Sequence, residues 1–140
     1  MQFTTAAITA ILSASSVFAA PTATAAIPNW TITGINRVCN AGDTSCTWSF
    51  GINTNTGAAA TPCSFVITGS PASHSDTSGT KACGNFGVTA GWSGQFGPGF
   101  TTLAVHNNAN GQIAWPAYTD AELAGGQVVS PDKSWAVTQL

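Results

Sequence analysis

Cys46-Thr47-Trp48-Ser49-Phe50-Gly51-Ile52-Asn53 alternates apolar and polar or small residues without a slip. Successive side chains of a strand point to opposite faces, so this spacing predicts a strand with one buried and one wet face. Cys63, Phe65 and Ile67 repeat the pattern, as do Phe86, Val88, Ala90 and Trp92. Working outward, Trp30–Cys39, Phe100–His106, Gln112–Trp115 and Trp135–Thr138 are further strand candidates, separated by Gly and Asn. About seven short strands with turns between them predict an all-β fold, a small disulfide-stapled sandwich or barrel. Asn110-Gly111 between two apolar runs predicts a type I′ hairpin, which needs positive φ at both central residues. At most one short helix is expected, over Thr119–Ala124. There Thr119 and Glu122 have capping-box spacing and Gly125-Gly126 follows as a stop.

The chain has 140 residues. Residues 1–19 have the apolar run of a secretory leader, ending in the small residues Ala19 and Ala20, but carry no Lys or Arg near the start. Residues 20–26, rich in Pro, Thr and Ala, are expected to form a flexible N-terminus, and residues 27–140 a single secreted domain. The run is too short and too rich in Ser and Thr for stable membrane insertion, and the C-terminus has no apolar tail for a lipid anchor. Release from the cell, or loose association with its wall, is the expected location. The four cysteines, Cys39, Cys46, Cys63 and Cys83, form an even set in an exported chain and predict two disulfides. Three pairings are open. Cys39–Cys46 with Cys63–Cys83 is favoured, because each closes a polar, turn-rich loop. No CxxC occurs, and neither histidine has ligand spacing from a cysteine, so no metal is expected.

Hydrophobic residues make up 44% of the chain and charged ones only 6%, against about 25% in an average globular protein. Solubility must therefore come from Thr, Ser, Asn and Gln. Three cations, Arg37, Lys81 and Lys133, stand against five carboxylates. They form no basic patch, which sets aside nucleic acid and anionic lipid as partners.

Catalytic constellations are sparse, and the expectation is a non-enzymatic protein without a cofactor. A glycosidase needs two carboxylates across a cleft, and Asp120 with Glu122 fall on one turn instead. A hydrolase reading rests on His106 with Asp120 or Glu122. His74 lies in a Ser-, Gly- and Thr-rich loop and is expected to be solvated. Gly91-Trp92-Ser93-Gly94 resembles a nucleophile elbow only superficially, since no strand–turn–helix pattern surrounds it. Trp48 and Trp92 are in phase with apolar neighbours and read as core. Trp115 and Tyr118 flank Pro116; with Trp92 they form the candidate binding surface, as rings for sugar stacking or protein docking. The glycine-rich stretch from Gly91 to Phe100 reads as a structured loop, the kind of element that carries binding function on rigid β scaffolds. Asn29-Trp30-Thr31 is the one N-glycosylation sequon.

Six segments stand in order along the mature chain: Arg37-Val38-Cys39-Asn40, Asp43–Phe50, Trp92–Gly97, Gly99–Leu103, Trp115–Asp120 and Pro131-Asp132. Together they resemble the small secreted proteins of filamentous fungi known as surface proteins or hypersensitive-response-inducing proteins. The resemblance covers nearly all of the mature chain. It implies a β-rich extracellular elicitor or effector, perceived by a plant receptor, with no catalytic residues to carry over. Two alternatives are a module that binds cell-wall polysaccharide through Trp115, Tyr118 and Trp92, and a structural protein of the wall.

Overall fold

The computed structural model describes residues 14–17 and 25–140. The expected leader, residues 1–19, lies outside them except for 14–17, as do residues 20–24. Two antiparallel sheets pack face to face as a sandwich, not as a closed barrel. The first runs β3 (Thr61–Thr68), β2 (Ser45–Asn53), β1 (Trp30–Cys39), β9 (Lys133–Trp135). The second runs β10 (Val137–Gln139), β7 (Gln112–Ala114), β6 (Phe100–Asn107), β5 (Phe86–Ser93), β4 (Lys81–Cys83). A further strand, β8 (Ala117–Thr119), also pairs with β6.

The seven expected strand regions are all strands, and the additional elements are three residues long. β4 and β8 are too short to show a period. The expected Trp135–Thr138 strand is split at Ala136: Trp135 pairs with Trp30 of the first sheet and Val137 with Ala114 of the second. The chain thus crosses between the sheets along one edge. At the opposite edge the Cys63–Cys83 disulfide joins β3 to β4. The Cys39–Cys46 disulfide lies within the first sheet, across a register pair of β1 and β2.

The core lies between the sheets and is built from the alternating positions. Trp48, Phe50 and Ile52 of β2 meet Phe65 and Ile67 of β3, and Val88, Leu103 and Val105 supply the other layer. Trp30 is 1% exposed and meets Phe86 edge to face at 5.4 Å. Burying a side chain of this size contributes roughly 1.5–3 kcal/mol, so the alternating strands carry most of the fold's stability.

A bulge in β1 changes which residues face inward. Trp30 and Ile32 are buried, but the register shifts between Thr33 and Asn36. Gly34 sits there at φ +58°, a conformation glycine adopts without steric penalty. The Asp132 carboxylate accepts from the Gly34 N–H at 2.8 Å. Beyond the bulge the inward set becomes Ile35 and Arg37, and Val38 turns outward, 50% exposed.

Two expected local structures differ in detail. The hairpin after β6 is not type I′, because Asn110 does not have positive φ. The loop is longer: Gly111, at φ +72°, donates to the Asn107 carbonyl at 2.9 Å, and Asn108 is tied to Asn85 of the β4–β5 turn. The short helix is one turn running into a 3-10 segment at Ala124–Gly126. Its capping box does form. Thr119 N–H donates to Glu122 Oε2 at 2.9 Å and Glu122 N–H to Thr119 Oγ1 at 3.2 Å. Among the described residues no helix is long and apolar enough to cross a membrane.

Candidate functional site: the loop-bearing end of the sandwich

One end of the sandwich collects the turn after β1, the 3-10 turn Ala72–His74 after β3, the β5–β6 loop and the chain leaving β8. A single carboxylate organises it. Asp120 Oδ1 accepts from Arg37 Nη1 at 3.2 Å, and Oδ2 from the Trp92 indole N–H at 2.9 Å. His74 Nε2 lies 3.3 Å from the same oxygen. The His74 ring stacks on Trp92, with centroids 4.1 Å apart and an interplanar angle of 13°. Arg37, 7% exposed, also donates to the Ser73 carbonyl at 2.9 Å and lies 5.7 Å from the Trp48 ring centre.

Asp43 secures the neighbouring loop. It holds the left-handed position of the β1–β2 turn at φ +50°. Its carboxylate accepts from the Ser73 N–H at 2.8 Å and from the Ser73 hydroxyl, and its carbonyl from the Ala72 N–H at 2.7 Å. The Ser73 hydroxyl, more than any other group, holds the Asp43 carboxyl below the usual aspartate range. Asp76 accepts from the Trp92 N–H at 2.9 Å.

The β5–β6 loop, residues 94–99, rests on this network. A Cβ added at Gly94 would come within 2.6 Å of the Trp92 ring, and one at Gly99 within 2.8 Å of its Nε1. Only glycine lets the loop lie this close to the indole. Gly99 O accepts from the Asp120 N–H at 2.9 Å. Gly97, at φ +100°, donates to the Gly94 carbonyl at 3.3 Å and closes the tip. Phe96 stands at that tip, 77% exposed.

The residues singled out from the sequence are dispersed. Trp92 is half-buried at the end of the sheet, not in the core, and His74, exposed to solvent as expected, also stacks on it. Tyr118 is 1% exposed, which corrects the expectation of a Trp115/Tyr118 surface pair. The reason is register. Tyr118 pairs with Thr101, an inward position of β6, and meets Trp135 edge to face at 5.7 Å. Burial pushes the Tyr118 phenol up to about 12. Trp115 is 46% exposed, next to the buried Pro116. Trp92, Trp115 and Tyr118 therefore form no aromatic row. His106 bonds Asn108 near the far end of β6, about six residues or roughly 20 Å from the Phe100–Thr119 pair, so it does not meet Asp120 or Glu122.

Other polar groups are likewise committed. Glu122 is held below the usual carboxylate range, first by the Lys133 ammonium and then by the Thr119 N–H. This pair borders a shallow cavity of ≈ 330 Å³ along residues 127–131. Cys39, Asp43 and Cys46 gather closely enough to suggest metal ligands, but the two sulfurs are bonded to each other. No local pattern in the chain signals the convergence of Arg37, His74, Trp92 and Asp120. Three of the four do lie in the segments that carried the family resemblance.

The sequence model of the family described as Effector TSP1 matches residues 31–140. Effector TSP1 of Hypocrea virens is 46% identical over 147 aligned positions, which cover 100% of this chain and 99% of that protein. These matches agree with the resemblance to small fungal effector-like proteins, and with them the loop-bearing end built on Asp120 belongs to a chain that is a member of the Effector TSP1 family.

Proposed function

We propose that this protein is an exported, non-enzymatic effector that plants perceive at the cell surface, and that the loop-bearing end is the part perceived. The observation that carries this reading is the use made of scarce charge. The chain has five carboxylates, and all five accept hydrogen bonds that hold loops or strand irregularities in place. Asp43 holds Ser73, Asp76 holds Trp92, Asp120 holds Arg37 and Trp92, Glu122 holds Thr119, and Asp132 holds the β1 bulge. Charge is spent on a fixed surface shape, which is what recognition needs and what acid–base chemistry would not leave free. Two disulfides, the leader-like N-terminus and the kinship with Effector TSP1 support an extracellular setting.

The test is infiltration of purified mature protein into leaves of several plant species. Boiled protein and a Cys39→Ser/Cys46→Ser variant serve as controls. An oxidative burst or cell death from the folded form alone is the expected result. Silence in every host, or equal activity after boiling, would overturn recognition of a folded surface.

A further inference from the structure

We propose that Phe96 is the anchor by which this protein docks on its partner, and that the partner is a plant surface protein offering an apolar pocket. This deepens the reading above and rests on it for the identity of the host.

Several observations converge on this residue. Phe96 is 77% exposed, the most exposed aromatic ring among the described residues. A large apolar side chain left in water forgoes the burial that stabilises every other element of the fold. Its loop is not loosely tethered. Trp92 lies across both Gly94 and Gly99, Asp120 holds Trp92 from below, and His74 covers the indole face. The Gly94–Gly97 turn then sets the tip. An exposed aromatic on a pre-positioned support loses little freedom on binding, which is the property that makes aromatic rings dominate interfaces.

The surroundings select the class of partner. No Lys or Arg occurs between Lys81 and Lys133, and the one cation at this end, Arg37, is buried and paired with Asp120, while Asp76 lies at the base of the loop. Nothing at the loop would attract an anionic bilayer. A single Phe beside Gln95 and glycines also falls short of the two signals that stable membrane anchoring takes. A protein pocket needs only one such ring, surrounded by small and polar neighbours that exclude water, and Ser93, Gln95, Gly97 and Pro98 supply that rim.

The test is saturation binding of labelled mature protein to intact leaf protoplasts, before and after trypsin treatment of the cells, using wild type, Phe96→Ala and Phe96→Trp. Phosphatidylcholine vesicles are the lipid control, and leaf response is recorded in parallel. The ring makes no contact that holds the fold, so both variants should melt with the wild type. The expected result is saturable, trypsin-sensitive binding that Phe96→Ala weakens about 10- to 100-fold and Phe96→Trp retains. Undiminished binding by Phe96→Ala, absence of saturable binding, or trypsin-resistant binding reproduced by the vesicles would each overturn the proposal; the last would assign the ring to a lipid surface. Ring-dependent protoplast binding without any leaf response would leave the docking site standing and overturn only perception.

Discussion

The Trp92 indole N–H donates to Asp120 Oδ2 at 2.9 Å, joining the end of β5 to the chain just beyond β8. Because the same carboxylate pairs with Arg37 of β1, this contact links the two sheets at the end that bears the long loops. Asp120 is therefore the residue that ties the two sheets together at that end, beside the loop contacts of Asp43 and Asp76.

Asp120→Ala should be costly. It leaves the Arg37 guanidinium buried against Trp48, with the Ser73 carbonyl as its one hydrogen-bond acceptor and with its Nε already unbonded. An uncompensated buried charge costs several kcal/mol; since Asp120 is itself 26% exposed, about 2–4 kcal/mol is expected. Asp120→Asn keeps an acceptor for Trp92 but no charge for Arg37, so it should fall between wild type and Asp120→Ala. Urea titration followed by tryptophan fluorescence measures both. Equal stability of all three proteins would remove Asp120 from its organising role.

The two disulfides should contribute unequally. They close loops of 7 and 20 residues, for which chain entropy gives about 2 and about 3 kcal/mol. Cys63→Ser/Cys83→Ser should therefore lower Tm more than Cys39→Ser/Cys46→Ser. The difference is reinforced because only Cys63–Cys83 holds the two sheets together at that edge. Full reduction should lower Tm below both variants. An unchanged melting curve under reduction would show that the bonds do not hold the domain.

Acid should loosen the loop-bearing end. The Asp43 and Glu122 carboxyls titrate lower in the folded protein than in the unfolded chain. In acid the unfolded state then binds more protons, so stability rises with pH across that window. Their contribution is complete above the ordinary carboxylate range near pH 4 and is lost as pH falls through the depressed folded values. Thermal melts should be level from pH 7 to about 5 and then decline. Asp43→Asn should flatten part of that decline.

Gly34→Ala tests the bulge. An added Cβ meets no atom within 4 Å, so the penalty comes from φ +58° alone, about 1–2 kcal/mol. The variant should fold and melt lower. An unchanged or raised Tm would mean that the bulge tolerates a side chain freely.

Asn29 is expected to carry an N-linked glycan when the chain is expressed through a secretory pathway. It is exposed, whereas the Thr31 hydroxyl of its sequon is engaged by Asn55 and Ser134 in the folded domain. Asn55 follows Thr31 by 24 residues but Ser134 follows it by 103, so for about 5–20 s of synthesis β9 cannot yet cover the sequon. Protein secreted by a fungal host should lose mass on treatment with peptide N-glycosidase, and Asn29→Gln should migrate like the treated protein. Identical masses before and after treatment would show the site to be empty.

Read by itself, the sequence determined the fold class, because period-two alternation in a strand such as Cys46–Asn53 is a local consequence of which side chains leave water. The long strands and most of the apolar core followed from the same rule. What it left open was decided at longer range. Whether Arg37 or Val38 faces the core depends on a one-residue bulge at Gly34, which Asp132 stabilises from nearly one hundred residues away. Tyr118 reads as a surface ring until its pairing with Thr101 turns it inward. The strand expected over Trp135–Thr138 divides because its two halves find partners in different sheets. The candidate site was legible only as fragments. Arg37, His74, Trp92 and Asp120 are up to 83 positions apart, and no local pattern encodes a contact made when four loops meet at one end of a sandwich.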